Sequence, residues 1–219
     1  MTQVSNSVVL CDTHAHLHAG CDISATWDAA YRNLSRVAAG RAFAAVVFLA
    51  DMAGQTFFDD LHVSTGSRIG SAWTVSETEE AVSVNLTRDD GARITVIAGS
   101  QVVSSERIEV LLLGTRKRIG DGLPLNAVLQ SAKEGEGWTV LPWGVGKWIG
   151  KRGELVETVL RSDPDGSLWA GDNGNRPWFW PEPKVFSWTR HRRVPVLRGT
   201  DPLRIPRDTF RIGSFGNRI

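Results

Sequence analysis

An apolar run, Val8-Val9-Leu10, rises from a polar N-terminus and ends at Cys11-Asp12, which predicts a short buried strand over residues 8–12. An amphipathic helix is predicted over residues 23–39, closed by Gly40, and the unbroken apolar stretch "FAAVVFLA" (43–50) predicts a second buried strand. Together these read as a β-α-β start with parallel strands. From residue 73 the period shortens. "AVSVNLT" and "ARITVIAGS" flank Asp89-Asp90-Gly91, a hairpin signal, and "IEVLLLGT" follows as a further strand. Alternation then resumes, with a helix near 124–133, a strand at 138–141, a helix near 154–161 and strands at 167–170 and 195–198. The prolines in "RPWFWPEPK" (176–184) and in the C-terminal segment predict irregular chain there.

Composition narrows the function classes without choosing among them. A chain of 219 residues with 42% hydrophobic and 22% charged residues is expected to form one globular domain spanning 1–219. The formal charge of +1 supplies no field for coating nucleic acid or an anionic membrane, so anion recognition must be local. The first residues lack the basic and long apolar parts of a secretory signal, and the expectation is a cytoplasmic protein. Cys11 and Cys21 then read as buried or incidental thiols rather than a disulfide.

Three of the five histidines, His14, His16 and His18, fall at alternate positions just past the first predicted strand. In extended chain, residues i and i+2 share a face, so His14 and His16 can converge on one ion, and imidazole is a common donor to first-row metals. His18 is the weaker member, because Gly20 signals a turn. Further donors are sought where other strands end: Asp51, Gln101, Asp172 and Asp201 each follow an apolar run. Each has an alternative use as a cap or turn residue. Asp51 and Asp201 are the carboxylate candidates, as ligands and as acceptors of a proton, while Gln101 would be a neutral contact.

Two loops carry candidate binding residues. "PWGVGKWIGKRG" (142–153) sets Lys147, Lys151 and Arg152 among glycines before a helix, an arrangement that suits an anion or is simply an exposed loop. "GDNGNRPWFWPEP" (171–183) places Asp172, Asn173 and Arg176 beside Trp178, Phe179 and Trp180, which reads as a ligand-pocket wall, a subunit contact or ordinary core. His191, in "RHRR", reads as a cap at a helix C-terminus, and His62 as part of a helix end.

"CDTHAHLH" and "VLRGTDPL" together resemble the first and last motifs of metal-dependent hydrolases that open with Asp-x-His-x-His, the amidohydrolase group and the polymerase-and-histidinol-phosphatase (PHP) family. "VIAGSQVVSSERIEVLLLGT" is similar to the PHP family's Gly-x-Glu strand and the strand after it. The resemblance implies an α/β fold, a distorted TIM-like barrel of the PHP type with an antiparallel hairpin excursion. It implies a divalent metal cofactor (zinc, manganese or iron) held by His14, His16, Asp51 and Asp201, and hydrolysis of a phosphoester or amide. The substrate is expected to be a small, anionic molecule contacted by Gln101, Lys147, Asp172, Asn173 and Arg176, with a homo-oligomer as a further partner expectation. The chain departs from the PHP pattern at Gln101 (Glu in the family), at Asp51-Met52 (Asp-His), at Pro202-Leu203 and in "TVLPWGVGKW", which lacks a histidine. These departures leave open an alternative: a degenerate, non-catalytic barrel that binds a small anion.

Overall fold

The computed structural model describes residues 7–144, 146–163, 165–177, 179–191 and 194–219. In chain order the elements are β1 (Val8–Ala15), α1 (Ile23–Ala38), β2 (Phe43–Asp51), α2 (Phe57–Val63), β3 (Arg68–Ile69), β4 (Trp73–Glu77), β5 (Ser83–Arg88), β6 (Arg93–Val103), β7 (Glu109–Leu113), α3 (Leu125–Lys133), β8 (Trp138–Trp143), α4 (Lys151–Arg161), β9 (Leu168–Asp172), α5 (Lys184–His191), β10 (Val196–Arg198), a 3-10 turn (Pro206–Arg211) and β11 (Asn217–Arg218). Local signals fix several boundaries. Asp22 caps α1 through the Ala25 amide, and Trp27, Ala30, Leu34 and Ala38 form its buried stripe. The helix stops where Ala39 and Gly40 turn left-handed, at φ 51° and 81°.

The strands form one mixed, open sheet in the order β10-β9-β8-β7-β6-β2-β1-β11, and the β3-β4-β5 meander joins it through β5 and β6. β1, β2 and β6 run parallel, as do β8, β9 and β10, but β7 is antiparallel to both β6 and β8. The expected TIM-like PHP-type barrel is therefore corrected: the sheet is not closed, and helices do not alternate regularly between its strands. The physical reason lies in the link between β6 and β7, residues 104–108, which is too short for the crossover a parallel neighbour requires and permits only a hairpin. The hairpin excursion itself is present at Asp89-Asp90-Gly91, between β5 and β6.

One face of β1, β2 and β4–β6 packs on α1 and α2 through Leu10, Trp27, Val47, Leu49, Phe58, Trp73 and Ile94. Val110, Leu112, Leu125, Val128, Leu141, Val156 and Phe186 join β7–β9 to α3, α4 and α5. The opposite sheet face carries Cys11, Phe48, Ala50, Leu111, Leu113 and Val140. Burial on both faces explains why the β2 sequence is apolar throughout. The register of β1 on β2 slips between Asp12 and Ala15, which pair with Val47 and Leu49. Three steps on β1 thus span two on β2, a β-bulge that reverses which face successive residues occupy. Before it Leu10 faces the helices; after it Ala15 and Leu17 do, so His14 and His16 emerge on the face of Cys11 and Ala50.

Candidate functional site

The loop after β10 lies flush on β1. A Cβ on Gly199 would come within 2.2 Å of the His14 amide nitrogen, and the Asp201 N–H donates to the His14 carbonyl at 2.7 Å. Asp12, fully buried, fastens this contact by accepting from the His14 amide (3.1 Å), the Thr200 amide (3.0 Å), the Thr200 hydroxyl (2.6 Å) and the Gly213 amide (2.9 Å). Asp201 adopts φ 42°, a left-handed conformation disfavoured for a side chain with a Cβ but tolerated best by Asp and Asn.

These ties bring His14, His16 and Asp201 together, and this group could hold a metal ion. His14 Nε2 lies 3.0 Å from His16 Nε2, and Asp201 Oδ1 lies 3.7 and 3.5 Å from the two rings. Donors bound to one zinc at tetrahedral angles and ordinary bond lengths sit about 3.3 Å apart. The protonation pattern points the same way. His16 Nδ1 is 2.5 Å from the Ala50 carbonyl, which only accepts, so Nδ1 carries a proton and, in the neutral ring that a metal ligand requires, Nε2 offers a lone pair. Around His14 Nε2 then stand three acceptors: His16 Nε2, Asp201 Oδ1 and Gln101 Oε1, the last at 3.1 Å.

Burial, with the nearby Lys147 ammonium, lowers the His14 pKa to about 4, so the ring is neutral at pH 7. Burial alone would raise the Asp201 carboxyl; the His14 and His16 imidazoles and the Lys147 ammonium more than reverse it and hold Asp201 well below the usual carboxylate range. Asp201 Oδ2 accepts from the Asn173 amide at 2.9 Å and lies 3.6 Å from Lys147 Nζ, which is itself 2.5 Å from Glu109 Oε2. Burial works against the Lys147 charge, yet Asp201 and Glu109 outweigh it and raise its pKa.

The structure leaves other candidates outside the group. Asp51 Oδ2 accepts from the Phe58 amide (3.1 Å) and Arg118 (3.0 Å), on the helix side of β2, whereas its neighbour Ala50 faces the histidines. Asp172 receives the Gly174 amide (3.2 Å) and lies 3.6 Å from Arg176, whose guanidinium stacks over Trp143 at 5.7 Å. His18 Nε2 donates to the Pro202 carbonyl at 3.0 Å. Arg152 is turned to the Gly146 carbonyl at 2.9 Å, and His62 stacks on Phe58. His191 bonds the Ser187 carbonyl at 2.7 Å, one turn back in α5. Phe179 and Trp180 are exposed, while Trp178 and residues 192–193 lie outside the described residues. Both cysteines are free, Cys11 buried and Cys21 half-buried. No helix among the described residues is long and apolar enough to cross a membrane.

Three participants escaped the sequence reading: Glu109, Thr200 and Arg118. A charged residue at the first position of an apolar strand, as in "ERIEVLLL", was the available signal for Glu109. No protein-family model and no curated protein matches the chain. Its structure is similar to that of PsfC from Pseudomonas syringae PB-5123, with a TM-score of 0.51 and 12% sequence identity over 93% of this chain and 78% of PsfC. At that identity the likeness is one of fold.

Proposed function

We propose that this protein is a hydrolase with a single divalent metal ion, held by His14 Nε2, His16 Nε2 and Asp201 Oδ1, that cleaves a phosphoester or an amide. The carrying observation is the surplus of acceptors: the lone pairs of His16 and Asp201, with Gln101 Oε1, surround His14 Nε2 and share at most one ring proton. A cation resolves that surplus. Three protein donors with remaining positions open is the pattern of catalytic rather than structural zinc sites. The ion would supply Lewis acidity and lower the pKa of a water.

The protein's own groups divide the remaining work. His16 is oriented by its bond to Ala50, and Asp201 by Asn173. Strong ionisation suits Asp201 as a ligand and makes it a weak base. The proton then falls to Glu109 Oε2, and the Lys147 ammonium between the two carboxylates steadies negative charge developing on the substrate.

The test is elemental analysis of protein purified without an affinity tag, beside His14→Ala, followed by hydrolysis assays on phosphoester and amide panels. About one equivalent of zinc, manganese or iron, lost in the variant together with any turnover, is expected. A wild-type protein that takes up none of these ions on incubation refutes the proposal.

A further inference from the structure

The loop after β10 leaves the metal-binding group along a fixed path. Asp201 donates its N–H to the His14 carbonyl at 2.7 Å, the Pro202 carbonyl accepts from His18 Nε2 at 3.0 Å, and Arg204 Nη2 lies 3.3 Å from the Met52 sulfur. The path follows the histidines outward, with ring centres 4.8 Å apart from His14 to His16 and 6.1 Å from His16 to His18, and ends on the residue after β2. Burial lowers the His18 pKa and the Arg204 charge lowers it further, which sets the guanidinium near that ring. Three residues of extended chain span at most about 11 Å, so the Arg204 backbone is no farther than that from Asp201. Met52 borders a cleft that Gln101 also lines, and Gln101 Oε1 is 3.1 Å from His14 Nε2. Arg204 therefore stands exposed at the rim of the site, on the side of β2.

The cations that contact the site residues already have partners. Lys147 is held between Glu109 and Asp201, Arg118 between Asp51 and Asp59, Arg176 faces Asp172, and Arg211 faces Asp208 and Asn175. Arg204 differs: among the described residues it makes no ion pair, and a thioether sulfur is a weak acceptor. Its planar fork of N–H donors matches a carboxylate or a phosphate bidentately. The backbone also fixes its direction. The Ile205 N–H returns to the Leu203 carbonyl, a three-residue turn with Arg204 at its apex, and the Leu203 N–H is held by Asp208 at 2.6 Å. Leu203 and Ile205 turn outward, 56% and 54% exposed, while Arg204 turns back onto buried Met52.

We propose that Arg204 is the anion-binding end of the substrate site, and that the substrate is a small molecule carrying a phosphate or carboxylate group several bonds from the one cleaved. Its placement relative to the cleaved bond rests on the hydrolase reading; the seating of an oxyanion on Arg204 does not. Arg204 is a specificity residue, which neither holds the metal nor moves a proton.

The test is NMR titration of the full chain, without metal and at constant ionic strength, with inorganic phosphate and with acetate. It is read at the Arg204 Nε–H and at the amides of residues 52–54 and 203–205. Wild type is compared with Arg204→Gln and with Arg207→Gln, a second exposed arginine of the same loop that reports unspecific attraction. At least one of the two anions is expected to move these signals, with affinity lower by at least about tenfold in Arg204→Gln, as loss of a charge-assisted pair implies, and unchanged in Arg207→Gln. Phosphate ahead of acetate marks a phosphate-bearing substrate, and acetate equal or ahead marks a carboxylate. No shift with either anion, equal losses in the two variants, or shifts confined to Lys147 and its neighbours overturn the subsite. In the hydrolysis panels, wild type should separate by kcat/KM pairs of substrates that differ only in a remote anionic group, and Arg204→Gln should not. A preference that survives the substitution also overturns the subsite. Because the titration needs neither metal nor turnover, failure of the hydrolase reading and failure of the Arg204 subsite appear as separate results.

Discussion

Replacing Asp12 by Asn changes one atom and tests how the two ends of the chain are joined. Oδ1 accepts the His14 and Thr200 amides, and Oδ2 accepts the Thr200 hydroxyl and the Gly213 amide. The better placement of Asn keeps its oxygen on the first pair and puts NH2 in place of Oδ2. The Thr200 hydroxyl can rotate to accept from it, but the Gly213 N–H then meets another donor. The opposite placement strands two amides and is worse. One buried unsatisfied donor costs about 1–3 kcal/mol, and weaker bonds from a neutral acceptor bring the total to about 2–3 kcal/mol. For a chain of this size that is a fall of about 4–12 °C in Tm, read by thermal unfolding of metal-free protein and by the urea midpoint at unchanged slope. Metal affinity should drop with it, because the loop that carries Asp201 is held through Thr200. A Tm within about 2 °C of wild type, with unchanged metal affinity, would refute the assigned role of Asp12.

Acid should weaken the metal-free protein in a defined window. His14 has a folded pKa of about 4, below the ordinary 6.5, so between those values the unfolded chain binds the extra proton and stability falls as pH falls. The loss is on the order of 2 kcal/mol at pH 5, measured by urea unfolding at pH 7 and pH 5; Asp201, depressed below its ordinary value, stays ionised throughout that window and adds nothing to the loss. A pH 7-to-5 loss that is the same in His14→Gln as in wild type would contradict the neutral, buried His14, because the variant keeps the opposing contributions of Asp12 and Asp51, whose carboxyl pKa values burial raises. Lys147→Gln removes a cation 3.6 Å from Asp201, so metal should bind more tightly while turnover falls at least about tenfold; isothermal titration and steady-state rates separate the two effects.

Local structure was legible because each element carries its own signal. The helix at 23–38 has a cap and a periodic apolar stripe, and the 43–51 strand is apolar on both faces because both faces are covered. Sheet topology was not, because a rhythm of strands and helices is compatible with several pairing orders. The decisive clue was a length: five residues between Val103 and Glu109 cannot carry a crossover, and β7 had to turn back. That reversal places Glu109 opposite Val103, on the strand next to Gln101, where Lys147 reaches it.

The candidate site was half legible for a reason of parity. Choosing donors by their place just past a strand end treats Asp51, Asp172 and Asp201 alike, but a strand end has two faces. On β2, Ala50 shares the face of Phe48 and Asp51 takes the helix side, where the Phe58 amide meets it. On β9, Ala170 packs among the helices, so by alternation Asp172 shares its side and Gly171 faces the site. Asp201 escapes the rule because it lies beyond β10 in a loop seated on β1, a placement set by the Asp12 bonds 188 residues away in sequence. His14 and His16 face the site only because of the bulge between Asp12 and Ala15; a regular strand would have buried both rings against α1. Alternation made it legible that the two histidines share a face. Which face they share depends on one inserted residue, placed where the buried carboxylate of Asp12 holds the His14 amide and the distant Thr200 at once.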